Sequence, residues 1–250
     1  MNRLSRCVLA AVIATSVSVL PNSASARIVV EGTRVFLNEG AKEVTVRVHN
    51  RAPEAALAQV WVSEYGSNAG PHEAQTPFVA LPPLVRIDSD KKQVLRLRFL
   101  GADLPADRES VFWLNILDVP SRIAGEDAPQ AQIQVAVRNQ LKLFYRPVSL
   151  KGKTSAGAAA ALQWSVVPQG AGWALQARNN SPFHVNTASA TVMVNGRVVE
   201  ARDVDMVKPM SVEQFPLPGV SARPSANEVQ FKFINESGGV AELSAALSDA

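Results

Sequence analysis

Residues 130–146, QAQIQVAVRNQLKLFYR, alternate with a period of two almost without interruption. Ala131, Ile133, Val135, Val137, Asn139, Leu141, Leu143 and Tyr145 fall on one side. Gln130, Gln132, Gln134, Ala136, Arg138, Gln140, Lys142 and Phe144 fall on the other. Successive side chains of a strand point to opposite faces, so the pattern predicts one strand over the whole stretch. That strand is far longer than the usual length of about 5–6 residues. A β-sandwich of about 100 residues cannot easily cover it from end to end. Two readings stay open. Ile133, Val135 and Val137 belong to the core of their own domain, or they lie uncovered beside a free backbone edge. An apolar free edge is an aggregation hazard that chains normally blunt. Keeping one suggests that it is used, by adding a strand from another chain.

The rest of the sequence reads the same way. Val44, Val46 and Val48 alternate with Thr45, Arg47 and His49, and Leu95, Leu97 and Phe99 alternate with Arg96 and Arg98. Val111 to Leu117 is apolar on both faces, as expected of a central strand. Residues 57–64 form a further strand. A boundary falls near Pro147 to Ala158, where residues 149–158 have linker composition; Ala159 to Ala161 could start a helix, but 162–167 reads more as a first strand, and further strand candidates follow at 171–178, 183–194, 211–217, 228–234 and 240–247. Asn195-Gly196 marks a hairpin turn. Helical periodicity is nearly absent. The expected fold is all-β: an N-terminal sandwich over 27–147, a linker over 148–158 and a second sandwich over 159–250.

Residues 1–26 read as a signal peptide to be removed on export. Arg3 and Arg6 precede an uncharged apolar run from Cys7 to Leu20, and Ala24-Ser25-Ala26 supplies a cleavage site. The run is too short to span a bilayer comfortably, so no membrane insertion is expected after cleavage. Cys7 is the only cysteine, so the exported chain would fold without a disulfide.

Charge and motifs narrow the function. The 25 basic and 22 acidic residues give a formal charge of +3, and two of the basic residues leave with the leader. No basic stripe points to nucleic acid. His49, His72 and His184 are not at metal-ligand spacing, and no cysteine joins them. Ser63 and Glu64 precede Tyr65 without a G-x-S-x-G elbow. We therefore expect no enzyme activity, catalytic residue, metal or cofactor. An Ig-like adhesion or carbohydrate-binding module is the alternative. It would need an aromatic binding face, whereas aromatic content is 6% and Trp61, Trp113, Trp164 and Trp173 are scattered.

Several segments taken together resemble the periplasmic pilus chaperones of the chaperone–usher pathway. They are LKLFYRP (141–147) after QIQVAVRNQ (132–140), DRESVFWLNILDVP (107–120), LPPLVRI (81–87), EGTRV (31–35) and FINESGG (233–239). The resemblance implies two Ig-like β-sandwich domains in a boomerang arrangement with an interdomain cleft. It implies a periplasmic chaperone that binds, folds and caps fimbrial subunits by donor-strand complementation, with an outer-membrane usher as second partner. A second copy of the chain, capping the apolar edge, is a further candidate partner. By this resemblance Arg34 and Lys142 are the cations that hold a subunit's C-terminal carboxylate. Ile133, Val135 and Val137 fill the subunit's groove. Glu109, Arg146 and Glu236 form an interdomain charge network, whose net stabilisation is small if it is solvent-accessible. The short stretch 121–129 matches the short-loop subclass. The resemblance favours a cis bond before Pro82, whereas the general preference of X-Pro bonds favours trans.

Overall fold

The computed structural model describes residues 27–119 and 135–248. The expected leader, Ile133 and the short segment 121–129 lie outside the described residues. The N-terminal domain contains β1 (Ile28–Val30), β2 (Arg34–Asn38), β3 (Val44–Asn50), β4 (Ala56–Glu64), β5 (Phe78–Leu81), β6 (Leu84–Ile87), β7 (Lys92–Phe99), β8 (Ser110–Val119) and β9 (Val137–Arg146). They form two sheets, ordered β1-β3-β7-β5 and β2-β9-β8-β4-β6. The chain passes from the first sheet to the second between β1 and β2. Gly32 permits the crossing, because its φ of +93° is strained for any residue with a Cβ.

Alternation decides which side chains meet between the sheets. Val46 faces Leu95 across the β3–β7 pair, and Val48, Leu95 and Leu97 are fully buried. Leu114, Ile116, Leu141 and Leu143 close the same core from the other sheet. Strand β8 sits between β9 and β4, as its composition suggests, but its two faces differ. Phe112, Leu114 and Ile116 enter the core. Trp113 and the fully buried Asn115 lie on the opposite face, in a polar and aromatic layer. Even-numbered residues of β9 share that second face. Lys142 reaches Asn186 and Asp205, Phe144 lies against His184, and Arg146 reaches Glu236, so this face packs against the C-terminal domain. The bond between Leu81 and Pro82 is cis.

The stretch read as linker carries a 3₁₀ turn at Val148–Leu150 and a short helix α1 (Ser155–Ala160). Leu150, Ala158 and Ala159 are buried in the second core, so small residues chosen for packing look like linker composition. The C-terminal domain contains β10 (Gln163–Gln169), β11 (Gly172–Asn179), β12 (Thr187–Val194), β13 (Arg197–Glu200), β14 (Ser211–Leu217), β15 (Glu228–Ile234) and β16 (Val240–Ser248). Their order is β13-β12-β15-β16-β10-β11-β14, with β10 and β16 parallel. Trp164 touches Phe231 on one arm of this sheet and Phe215 on the other, so the sheet folds over a single core. Asn195 and Gly196 turn the β12–β13 hairpin with positive φ at both residues, as a two-residue type I′ turn requires. The strand read over 183–194 is shorter than expected. It starts at Thr187, and Phe183 to Asn186 form only an isolated bridge from Val185 to Val207. The irregular stretch faces the N-terminal domain, where the His184 backbone N–H bonds to Glu109 instead of to a strand.

Candidate functional site

Strand β9 is flanked unequally. On one side it pairs with β8 along its whole length, from Val137 opposite Asp118 to Tyr145 opposite Ser110. On the other side it pairs in parallel with β2, and only from Lys142 onward. Residues 137–141 therefore have no strand on that flank among the described residues. The cause is the crossing at Gly32, which starts β2 at Arg34. The odd-numbered face changes character at the same place. Leu141 is 5% exposed, Val137 is 38% exposed and Val135 is 73% exposed. The face that fills the core from Leu141 onward runs off the end of the domain before it. The strand read over 130–146 is described from Val137, and Val135 and Ala136 precede it as non-strand backbone. The Asn139 Nδ2 atom, at the foot of this overhang, is buried with no hydrogen-bond partner.

Two cations stand where the overhang meets β2. Arg34 and Lys142 are direct partners in the β2–β9 register, so pairing brings them together. Arg34 Nη1 donates to the carbonyls of Ile234 and Asn235 in the C-terminal domain. Its Nε is buried without a partner, and burial lowers the guanidinium pKa from its ordinary value. Lys142 Nζ donates to Asn186 Oδ1 at 3.3 Å and Asp205 Oδ1 at 3.2 Å, and it lies 5.6 Å from the centre of the Tyr65 ring. Tyr65 donates its hydroxyl to Asp205 Oδ2 at 3.1 Å. Burial and then the Asp205 charge push the phenol pKa up to about 12. Burial opposes ionisation of Asp205, but the Met206 backbone N–H, Lys142 and Tyr65 outweigh it and hold the carboxyl below its ordinary range.

A second network fixes the overhang from its even-numbered face. Arg138 Nε and Nη2 donate to Asn115 Oδ1 at 3.0 and 2.8 Å, and Gln140 Nε2 donates to the same oxygen at 2.9 Å. Asn115 in turn donates to Ser63 Oγ, and the Arg138 guanidinium lies 4.8 Å from the centre of the Trp61 ring. These residues share no local motif. Only strand register and the loop carrying Ala69 place them together, so sequence reasoning missed them, as it missed Tyr65, Asn186 and Asp205.

Glu109, Arg146 and Glu236 meet as one cluster. Arg146 Nε donates to Glu109 Oε1 at 2.7 Å, while Nη1 and Nη2 donate to the two oxygens of Glu236. Two of its three members are buried, so the surface-pair expectation of a small effect does not hold for them: the Glu109 side chain is 1% exposed and that of Arg146 is 7% exposed, while that of Glu236 is 29% exposed. Phe36 and Phe183 cover the guanidinium from the two domains, at 4.5 and 5.4 Å from their ring centres. His184 is a fourth member that the sequence did not reveal. Its backbone N–H donates to Glu109 Oε2 at 2.8 Å, and its ring Nδ1 lies 3.2 Å from the same oxygen. Burial, only partly offset by Glu109, lowers the His184 pKa from its ordinary value. Glu236 also accepts from the Ser155 backbone N–H at 3.0 Å, which ties α1 to the cluster.

Other functional readings find less support. His49 bonds to Asp90, whereas His184 bonds to Glu109 at the junction. No group of three or more metal-ligating residues occurs among the described residues. No helix there is long and apolar enough to cross a membrane. Of the four tryptophans, Trp164 is core, Trp61 is buried and covered by Arg138, Trp173 packs against the second core, and Trp113 lies 4.8 Å from the Tyr65 ring.

Comparison with known proteins assigns both domains to a family. Residues 27–151 match the family of the pili and flagellar-assembly chaperone, PapD N-terminal domain, and residues 157–245 match the pili assembly chaperone PapD, C-terminal domain. The chaperone protein FimB/FhaD of Bordetella pertussis is 38% identical over 245 residues, covering 96% of each chain. The crystal structure of the YadV chaperone, a probable fimbrial chaperone of Escherichia coli, superposes with a TM-score of 0.73 at 36% identity, over 89% of this chain and 100% of that one. The Salmonella enterica SafB chaperone, solved in complex with the SafA pilin, superposes with a TM-score of 0.71 at 28% identity, over 88% of this chain and 96% of that one. This chain belongs to the PapD-type family of pilus-assembly chaperones.

Proposed function

We propose that the protein is a periplasmic chaperone that holds pilin-type subunits by strand addition along Ile133 to Leu141 and delivers them to an outer-membrane usher. The overhang of β9 carries this reading: five residues with one flank open, apolar side chains beyond the core, and two cations at the foot. An added strand would satisfy the open backbone flank, which gives affinity, while Ile133, Val135 and Val137 enter the subunit's groove, which gives specificity. Arg34 and Lys142 would take the subunit's terminal carboxylate through charge-assisted hydrogen bonds. The carboxylate then sets the register, and a slip of one residue would turn every groove-filling side chain to the wrong face. Buried polar atoms rarely lack partners, and two that do, Arg34 Nε and Asn139 Nδ2, border the open flank. The pilin complex of the related SafB chaperone supports the same partner class. The reading needs no enzyme chemistry: the chaperone's strand is exchanged for a neighbouring subunit's strand at the usher.

Co-expression with a pilin-type subunit in the periplasm tests this. A soluble 1:1 complex is expected with the chaperone, and insoluble subunit without it. Val137→Asp should lower recovery about tenfold, a change of about 1.4 kcal/mol. Its own stability should change by no more than about 0.5 kcal/mol, as for a surface substitution. A subunit that stays soluble alone, or equal recovery with Val137→Asp, would contradict the reading.

A further inference from the structure

The two anchor cations are not equivalent. Among the described residues no carboxylate lies within ion-pair distance of Arg34, whose partners are neutral carbonyls. Lys142 already has a carboxylate, Asp205 Oδ1 at 3.2 Å. That pair joins the domains, since Lys142 lies on β9 and Asp205 lies in the loop between β13 and β14. Tyr65 reaches Asp205 from the N-terminal domain as well. The Asp205 backbone is fixed from behind, because its carbonyl accepts from the Thr187 hydroxyl. Its side chain is 65% exposed, whereas that of Lys142 is 18% exposed. The carboxylate can therefore turn to water while the ammonium stays in place.

We propose that Asp205 is a resident carboxylate that occupies Lys142 in the unloaded chaperone and is displaced by the subunit's terminal carboxylate. The proposal rests on the anchor role assigned above to Arg34 and Lys142. An ammonium has three donors, and in the free protein Asn186 and Asp205 take two of them. A second carboxylate drawn in by Arg34 would bring two negative charges together at Lys142, and like charges at that range disfavour each other. Asp205, being the exposed one, gives way. Two consequences follow. Asp205 lowers the affinity of the anchor for any carboxylate, which keeps subunits exchangeable. Loading also breaks a polar bridge across the cleft, which couples occupancy of the anchor to the contact between the domains.

Asp205→Asn keeps the shape of the side chain and removes its charge. The probe is a synthetic peptide with the alternating apolar pattern of a pilin C-terminal strand, made with a free carboxylate and, separately, as its C-terminal amide. The variant should bind the carboxylate peptide about threefold to fivefold more tightly than the wild type, the range expected for an exposed ion pair. The amide peptide should bind the two proteins equally. Tyr65→Phe, which removes only the hydroxyl that holds Asp205, should shift binding in the same direction by less. If wild-type binding needs both the carboxylate and Lys142, while Asp205→Asn binds no more tightly, the displacement proposal is overturned and the anchor stands. If the wild type binds both peptides equally, the anchor fails and this proposal fails with it. A thermal melt of each variant confirms its folding, which the exposure of Asp205 leads one to expect.

Discussion

Lys142→Ala should lower the affinity for subunits by about 30-fold to 4000-fold while leaving the free protein folded. Removing one partner of a desolvated, hydrogen-bonded charge pair costs about 2–5 kcal/mol, mostly because the other charge stays buried and unpaired. Here the stranded charge would be the subunit's carboxylate, held in the cleft by Arg34 alone. The free chaperone loses little. Lys142 contributes a long bond to Asn186 and the pair with Asp205, an exposed carboxylate that water can solvate again, and such exposed pairs are worth about 0–1 kcal/mol. Binding and stability therefore separate in this variant. Arg34→Ala should lose binding similarly, and it also frees the Ile234 and Asn235 carbonyls that Arg34 now ties to the N-terminal domain. Peptide titration together with chemical denaturation checks both variants. Undiminished binding by Lys142→Ala would remove the anchor assignment.

Arg146→Ala should have the opposite profile, with a loss of stability of about 3–5 kcal/mol. A buried ion pair can contribute little net stability compared with a well-packed apolar substitute, yet breaking it from one side is costly. Glu109 shows why. Its carboxylate is 1% exposed, and without Arg146 it would keep only the His184 N–H and ring as partners. The guanidinium also fills the space between Phe36 and Phe183, so truncation removes packing from both domains. Glu236→Gln should be milder. Its side chain is 29% exposed, and an amide can still accept from the Ser155 backbone N–H. Urea denaturation of the three proteins gives the order directly. A loss below about 1 kcal/mol in Arg146→Ala would mean that the cluster behaves as an exposed pair.

The two variants also show what a linear sequence can disclose. Strands β3, β7 and β9 were legible because period-two alternation is local, and each core assignment needs only the neighbouring residues. The length of the alternating segment suggested an open edge, but the reason for it, β2 starting opposite Lys142, depends on a partner more than 100 positions away. Arg34, Lys142 and the Glu109–Arg146–Glu236 cluster were read only through resemblance to a family; their spacing carries no chemistry. Asp205, Asn186, Tyr65 and His184 gave no signal, because their roles arise where two domains meet. Residues 155–158 of α1 read as linker, since burial of Ala158 in the second core is a tertiary effect that composition does not report. Arg138 and Asn115 became visible only when register placed them on one face.

Amide hydrogen exchange along residues 137–141, measured at a concentration where the free protein is monomeric and again in its complex with a pilin subunit, tests the open flank most directly. The amides on the side away from β8 should exchange at loop-like rates in the free chaperone and become strongly protected in the complex, while those facing β8 stay protected in both. Equal protection of both sets in the free monomer, or no change on subunit binding, would mean that this edge is already closed and that the subunit is held elsewhere.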